Sequence, residues 1–144
     1  MRKLTEEFIE ILKEKEIVFD IDEIDATEAV GGYDLVTADF VGKYENAYRL
    51  FVEINDEYCN STVKYFTGIS KETAEKVMPE IVKLNDEYLM KFSMSESDDG
   101  TYFLYISHMM YLNERSAADD IYECSAVLVD LVDTAYKRIL PFID

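Results

Sequence analysis

The sequence predicts an α+β domain in which helices pack on an antiparallel sheet of about five strands, in the order α-β-β-β-α-β-β-α. Two runs of alternating polarity, residues 89–94 and 101–110, are joined by a turn at residues 97–100 and predict a hairpin. This hairpin lies between two stretches of helical spacing, and further alternating runs precede the first of them. The chain of 144 residues fits a single domain, residues 1–144, whose core needs no disulfide.

A helix opens the predicted order. Thr5 stands where it can cap a helix that carries acidic residues in its first turn and ends near Lys15. Residues 17–21 alternate in polarity and predict a short strand that enters an acidic loop, where Gly31 and Gly32 break regular structure.

The next pair of strands is predicted at residues 34–41 and 47–54. The polar segment 42–46 between them has a length that suits a hairpin. A further strand is expected at residues 62–66. The period of two directs one set of side chains toward a core: Val36, Ala38, Phe40, Tyr48, Leu50, Val52 and Ile54.

Ser70 is predicted to cap a long middle helix. Pro79 removes one backbone donor within it and should kink the helix or split it in two. The apolar seam of this helix comprises Ala74, Val77, Ile81, Leu84 and Tyr88.

A last helix is expected to open at Ser116 and to stop at Pro141. Acidic residues in its first turns and Lys137 and Arg138 near its end both complement the helix dipole. Its predicted buried stripe comprises Ile121, Cys124, Leu128, Leu131, Val132, Ala135 and Ile139.

The charge balance restricts the class of partner. Fourteen basic and 31 acidic residues give a formal net charge of −17, which repels nucleic acid and anionic membranes and attracts basic proteins. Alternatively, the negative charge serves only to keep the protein soluble. The N-terminal segment turns acidic with no apolar stretch, and no apolar run approaches the roughly 20 residues that span a bilayer. We therefore expect a cytoplasmic protein with no membrane partner.

No catalytic residue is predicted. His108 is the only histidine, it lies in an apolar strand, and no nucleophile motif accompanies it. A lone histidine in such a strand is typical of a hydrogen-bonded core or edge position. Cys59 and Cys124 are far apart and form no CxxC motif, which is typical of reduced, structural thiols. We expect a protein that is not an enzyme and has no cofactor.

Two groups of acidic residues, at 20–25 and 96–99, are dense enough to raise the question of a hard-cation site. Neither follows the D-x-D-x-D-G loop, so no metal site is predicted and solvated turn acids are the simpler interpretation. In the second group Gly100 is expected to supply a positive φ.

Several strands are apolar on both faces. If all the helices pack on one side, the other side presents an aromatic patch to solvent, and such a patch is typical of an interaction site. Alternatively, a helix or the N-terminal loop covers this face and makes it ordinary core. The candidate partner-binding residues are Phe51, Phe66, Phe103, Tyr105 and Met109.

The order of elements, the Lys83-Leu84-Asn85 segment in the middle helix, residues 91–94 and the strand 103–109 resemble the YbjN-like family, whose members are often labelled sensory transduction regulators. The best-matching part runs over residues 70–140. The resemblance implies a bacterial protein with a fold like that of type III secretion chaperones, which are often dimeric and bind peptide segments of a partner. It implies no catalytic residues.

The leading hypothesis is a non-enzymatic regulator or chaperone-like adaptor that binds an unidentified, basic protein partner through the apolar sheet face or a helix groove. The alternative is a small acidic immunity-type inhibitor of a basic toxin or nuclease. A third hypothesis is an enzyme that binds a metal or small molecule. A two-fold homodimer through an apolar face or edge is left open.

Overall fold

Six strands form one antiparallel sheet in the computed structural model, which describes residues 1–143, and three helices cover one face of it. The order along the sheet is β1-β2-β3-β4-β6-β5. The predicted α+β class is confirmed. The sheet has one strand more than the expected order of about five, and the short strand expected at residues 17–21 is present as β1. The elements are α1 (Lys3–Glu14), β1 (Phe19–Ile24), β2 (Tyr33–Val41), β3 (Ala47–Ile54), β4 (Tyr58–Ile69), α2 (Lys71–Glu87), β5 (Lys91–Glu96), β6 (Tyr102–Tyr111) and α3 (Ala118–Ile139), followed by a 3-10 turn, Leu140–Phe142.

Apolar side chains at alternate positions of the strands form the sheet's part of the core. Val36 of β2 lies opposite Val52 of β3, Ala38 lies opposite Leu50, and all four side chains are buried. The intervening residues point to the opposite face, as the pleat requires. The predicted inward set of β2 and β3 is therefore confirmed. The largest fully buried side chains are Phe8, Phe92, Ile54, Leu84, Leu104, Ile106, Ile121, Leu128 and Ile139, and they combine the sheet's inner face with all three helices.

The pairing of β4 with β6 shifts register twice, between Lys64 and Phe66 and between Phe66 and Ile69, and the first shift changes the face on which Phe66 lies. Lys64 pairs with Tyr105 of β6, but Phe66 pairs with Leu104, so one strand advances two residues while the other advances one. The extra residue is Tyr65. Such a bulge changes the face on which the following side chains lie, and Tyr65 and Phe66 consequently both belong to the helix-covered side.

Several predicted turns and caps are present. The Ser70 hydroxyl accepts a hydrogen bond from the Thr73 N–H at 3.2 Å and caps α2. In the β5–β6 hairpin the Ser97 N–H donates to the Thr101 carbonyl at 2.7 Å. Gly100 has φ +83°, the left-handed conformation that the sequence predicts there.

Two predicted helix starts are wrong. Helix α1 begins at Lys3, and the fully buried Thr5 hydroxyl donates at 2.7 Å to Asp34 Oδ2 on β2, because a long-range partner outcompetes the local cap. Helix α3 begins at Ala118, and the Ser116 hydroxyl instead accepts a hydrogen bond from the Asn113 N–H in the preceding turn.

Pro79 does not split the middle helix. Helix α2 runs without interruption from Lys71 to Glu87. Pro79 is exposed, so its ring faces solvent, where the lost backbone hydrogen bond is best tolerated. Four residues of the predicted seam, Ala74, Val77, Ile81 and Leu84, are buried in α2, whereas Tyr88 lies just beyond its end and is half-buried.

The β5 edge of the sheet is partly closed by a side chain. The Phe92 N–H donates to Asn85 Oδ1, and Asn85 Nδ2 donates to the Phe92 carbonyl, both at 2.8 Å. Asn85 lies on α2. Its side-chain amide supplies Phe92 with the donor and the acceptor that the backbone of a neighbouring strand would otherwise supply. None of the helices in residues 1–143 is long and apolar enough to cross a bilayer.

Candidate functional site

Four of the five predicted partner-binding residues lie on the uncovered face of the sheet, which we call the outer face. They are Phe51, Phe103, Tyr105 and Met109, each one step out of phase with the inward-facing residues of its strand. The Phe103 and Tyr105 ring centroids are 5.6 Å apart, and Met109 is 47% exposed. The helices therefore do leave this face open to solvent.

Polar residues interrupt this set, so the expected contiguous aromatic patch is absent. Phe51 pairs across the strands with Thr62, and Thr62 pairs in turn with Ser107. The Lys64 ammonium lies 4.4 Å from the Phe103 ring centroid, a cation–π contact that occupies one ring face. The outer face is thus a mixed polar surface that carries the neighbouring rings of Phe103 and Tyr105.

Phe66 does not belong to the outer face. Its ring stacks on that of Tyr136 of α3, with centroids 4.8 Å apart and planes 13° from parallel. The expectation that Phe66 faces outward is wrong, because a strict period of two assigns it the side of Lys64 whereas the bulge at Tyr65 returns it to the helix side.

Of the two cysteines, Cys59 is buried and Cys124 is half-buried. Burial is the main cause that raises the pKa of the Cys59 thiol to about 12, and burial also raises the pKa of Cys124. A raised pKa disfavours the thiolate, the reactive form. His108 pairs with the buried Ser61 across β4 and β6 and points toward the helices.

The two acidic groups do not assemble a metal site within the described chain. Across residues 1–143 no three His, Cys, Asp or Glu side chains come close enough together to hold a metal ion. In the hairpin turn, Asp99 Oδ1 accepts hydrogen bonds from the Thr101 N–H at 2.9 Å and the Thr101 hydroxyl at 2.6 Å. These bonds hold the pKa of Asp99 below its ordinary value.

An apolar groove lies on the helix side, between α1, α3 and the β2 end of the sheet. Its volume is about 510 Å³, within the range of clefts that hold a ligand or a side-chain cluster. The lining residues are Phe8 and Leu12 of α1; Glu16, Ile17 and Val18 of the following turn; Ala38, Asp39, Phe40 and Leu50 of the sheet; and Tyr122, Ser125, Ala126, Val129 and Asp130 of α3.

Short side chains keep this groove open. Ser125 and Ala126 face it from α3, and Ala38 forms part of its floor. A row of larger residues there would fill the space between the helices. Val18, at the mouth, is 84% exposed although it is aliphatic. We call this site the α1–α3 groove. The sequence analysis named a helix groove only in general terms, and the small pair on α3 is the signal that could have located it.

The polar groups at the α1–α3 groove are mostly acidic. Glu16, Asp39 and Asp130 are among its lining residues, and no lysine or arginine is. Asp39 accepts a 2.8 Å hydrogen bond from Arg49 Nε, and this partner holds the pKa of Asp39 below its ordinary value. The groove therefore offers apolar walls with a mostly acidic rim, one carboxylate of which already has a cationic partner, and the Lys15 ammonium lies 4.9 Å from the ring centroid of the lining residue Tyr122.

Comparisons of the chain with protein-family models, with curated proteins and with solved structures returned no match in any of the three.

Proposed function

We propose that this chain is a non-enzymatic, cytoplasmic regulator or chaperone-like adaptor that binds an apolar segment of a partner protein in the α1–α3 groove. The observation that carries the proposal is an open, apolar volume of about 510 Å³ between two helices and the sheet. Groove recognition of an amphipathic segment is one of the recurring modes of peptide binding.

The groove supplies the affinity in this proposal. Burying one leucine- or phenylalanine-sized side chain contributes about 1.5–3 kcal/mol, so a segment with two such anchors reaches useful affinity after ordering costs are subtracted. Its walls come from different elements, with Leu12 on α1 and Val129 on α3. They are fixed by the core of the domain, so the site is preformed.

Charge selects the partner. The net charge of −17 and the acidic rim favour a segment that carries lysine or arginine beside its apolar anchors. Association should accelerate at low ionic strength, because the field of the whole chain steers basic partners toward it.

The test uses a fluorescein-labelled amphipathic peptide of leucine and lysine, about 14 residues or four helical turns long. Binding is followed by fluorescence anisotropy, and its location by amide chemical shifts of the ¹⁵N-labelled protein. Ala126→Trp fills the groove from an exposed position of α3, and Val127→Trp is the matched control at the adjacent exposed position outside the lining.

We expect shifts that concentrate on the groove-lining residues and binding that Ala126→Trp abolishes while Val127→Trp preserves it. Shifts that spread over the outer face, or equal affinity of the two tryptophan variants, would refute the groove as the binding site.

A further inference from the structure

Helix α1 ends in a Schellman motif that carries an unusual residue. The Ile17 N–H donates to the Leu12 carbonyl at 2.9 Å, and the Glu16 N–H donates to the Lys13 carbonyl at 3.0 Å. In this motif the residue after the C-cap adopts the left-handed conformation and is usually glycine. Here that residue is Glu16, with φ +58°.

A side chain at this position destabilises the free protein. The Cβ of any residue other than glycine crowds the backbone in the left-handed region. Glutamate also lacks the local hydrogen bonding by which asparagine and aspartate tolerate it. Strained residues that persist are concentrated at binding and active sites.

Of the two non-glycine residues with positive φ, Glu16 and Glu45, Glu16 lies at the binding site. Glu16 lines the α1–α3 groove beside Ile17 and Val18. Within residues 1–143 its carboxylate forms no ion pair, whereas Asp39 on the same rim is paired with Arg49. Glu16 is exposed, so its carboxylate is accessible to a partner at the mouth of the groove.

We propose that Glu16 is the specificity-determining residue of the groove: its carboxylate pairs with a lysine or arginine that flanks the apolar anchor of the bound segment. This inference rests on the function proposed above and deepens it. The backbone strain is then the cost of placing a carboxylate where the local structure favours glycine, an instance of the trade between stability and function.

Two variants separate charge from strain. Glu16→Gln removes the charge and keeps a side chain at positive φ, whereas Glu16→Gly removes both. Glu14→Gln is the matched control, because Glu14 is exposed at the end of α1 and does not line the groove. The probes are the leucine–lysine peptide and a leucine–glutamine peptide of the same length.

At low salt, both Glu16 variants should weaken binding of the leucine–lysine peptide about threefold to fivefold, the range of a partly exposed ion pair. Neither Glu16 variant should change binding of the leucine–glutamine peptide. Glu14→Gln should leave the binding of both peptides unchanged. Glu16→Gly should also raise the melting temperature by about 3 °C, since it relieves the strain, while Glu16→Gln should leave it unchanged.

The outcomes distinguish this inference from the proposed function. If Ala126→Trp blocks the leucine–lysine peptide but Glu16→Gln binds it as Glu14→Gln does, the groove stands and the role of Glu16 is refuted. If Ala126→Trp has no effect, or the peptide does not bind at all, the groove function fails and this inference fails with it.

Discussion

Replacing Asn85 with alanine should loosen the β5 edge of the sheet. The Asn85 amide makes two hydrogen bonds of 2.8 Å, one to the N–H and one to the carbonyl of Phe92. Because Phe92 is only 2% exposed, water replaces these bonds poorly in the variant. The backbone of β5 then loses the one group outside the sheet that satisfies it at this residue.

The magnitude follows from the two bonds. A hydrogen bond of this kind contributes about 0.5–1.5 kcal/mol net, so the pair predicts a loss of about 1–3 kcal/mol in the free energy of unfolding. For a domain of this size, that loss lowers the melting temperature by about 3 °C for each kcal/mol. The variant should also associate more readily, since an unblocked edge strand pairs with other chains.

Urea unfolding, amide hydrogen exchange and light scattering measure these effects. Exchange of the Phe92 amide should accelerate in Asn85→Ala and remain protected in Asn85→Asp, which keeps the acceptor oxygen. Asp86→Ala is the control, an exposed neighbour on the same helix. An unchanged unfolding free energy together with an unchanged Phe92 exchange rate would refute the role assigned to Asn85.

Two further predictions concern the interior. A Cβ at Gly42 would clash with Asp133 Oδ1 and with Tyr48 Cε2. Gly42→Ala should therefore destabilise the fold by about 2 kcal/mol in urea unfolding, the cost of overpacking. An unchanged unfolding midpoint would contradict this close approach. The second prediction concerns Cys59, because burial raises the pKa of its thiol from 9.0 to about 12. As the pH rises from 9 to 12, the thiol ionises in the unfolded chain but not in the folded one, so the free energy of unfolding should fall. Cys59→Ala should remove that part of the pH dependence, and an identical pH profile in the variant would exclude the thiol as its source.

The hairpin and the middle helix could be predicted because local chemistry determines them. The turn requires a positive φ, which Gly100 supplies, and the Thr73 N–H that donates to the Ser70 hydroxyl lies three residues further along the chain. Both features are complete within one short segment. The same holds for the inward residues of β2 and β3, where the period of two continues without interruption.

The predictions are wrong where a side chain bonds a residue far away in sequence, or where an extra residue in a strand changes the face of those that follow. Thr5 is a residue type that often caps a helix, but its hydroxyl instead donates to Asp34 on β2. The Asp34 side chain is only 2% exposed. A strict period of two along β4 assigns Phe66 to the outer face, but one extra residue in β4 places its ring on the helix side. The α1–α3 groove depends on how far apart two helices pack, and its only sequence signal is the pair of small residues on α3, Ser125 and Ala126. The YbjN-like resemblance stays a prediction, and the Asn85 that contributed to it has a structural role at the sheet edge.

The bulge at Tyr65 places two consecutive aromatic rings on the helix side of β4, where a regular strand would place one. Deleting Tyr65 would let Phe66 follow Lys64 directly and keep it opposite Leu104 of β6, so its ring would remain stacked on Tyr136. A relative of this protein could therefore lose one ring from its core by a single deleted codon and still keep the aromatic stack against its last helix.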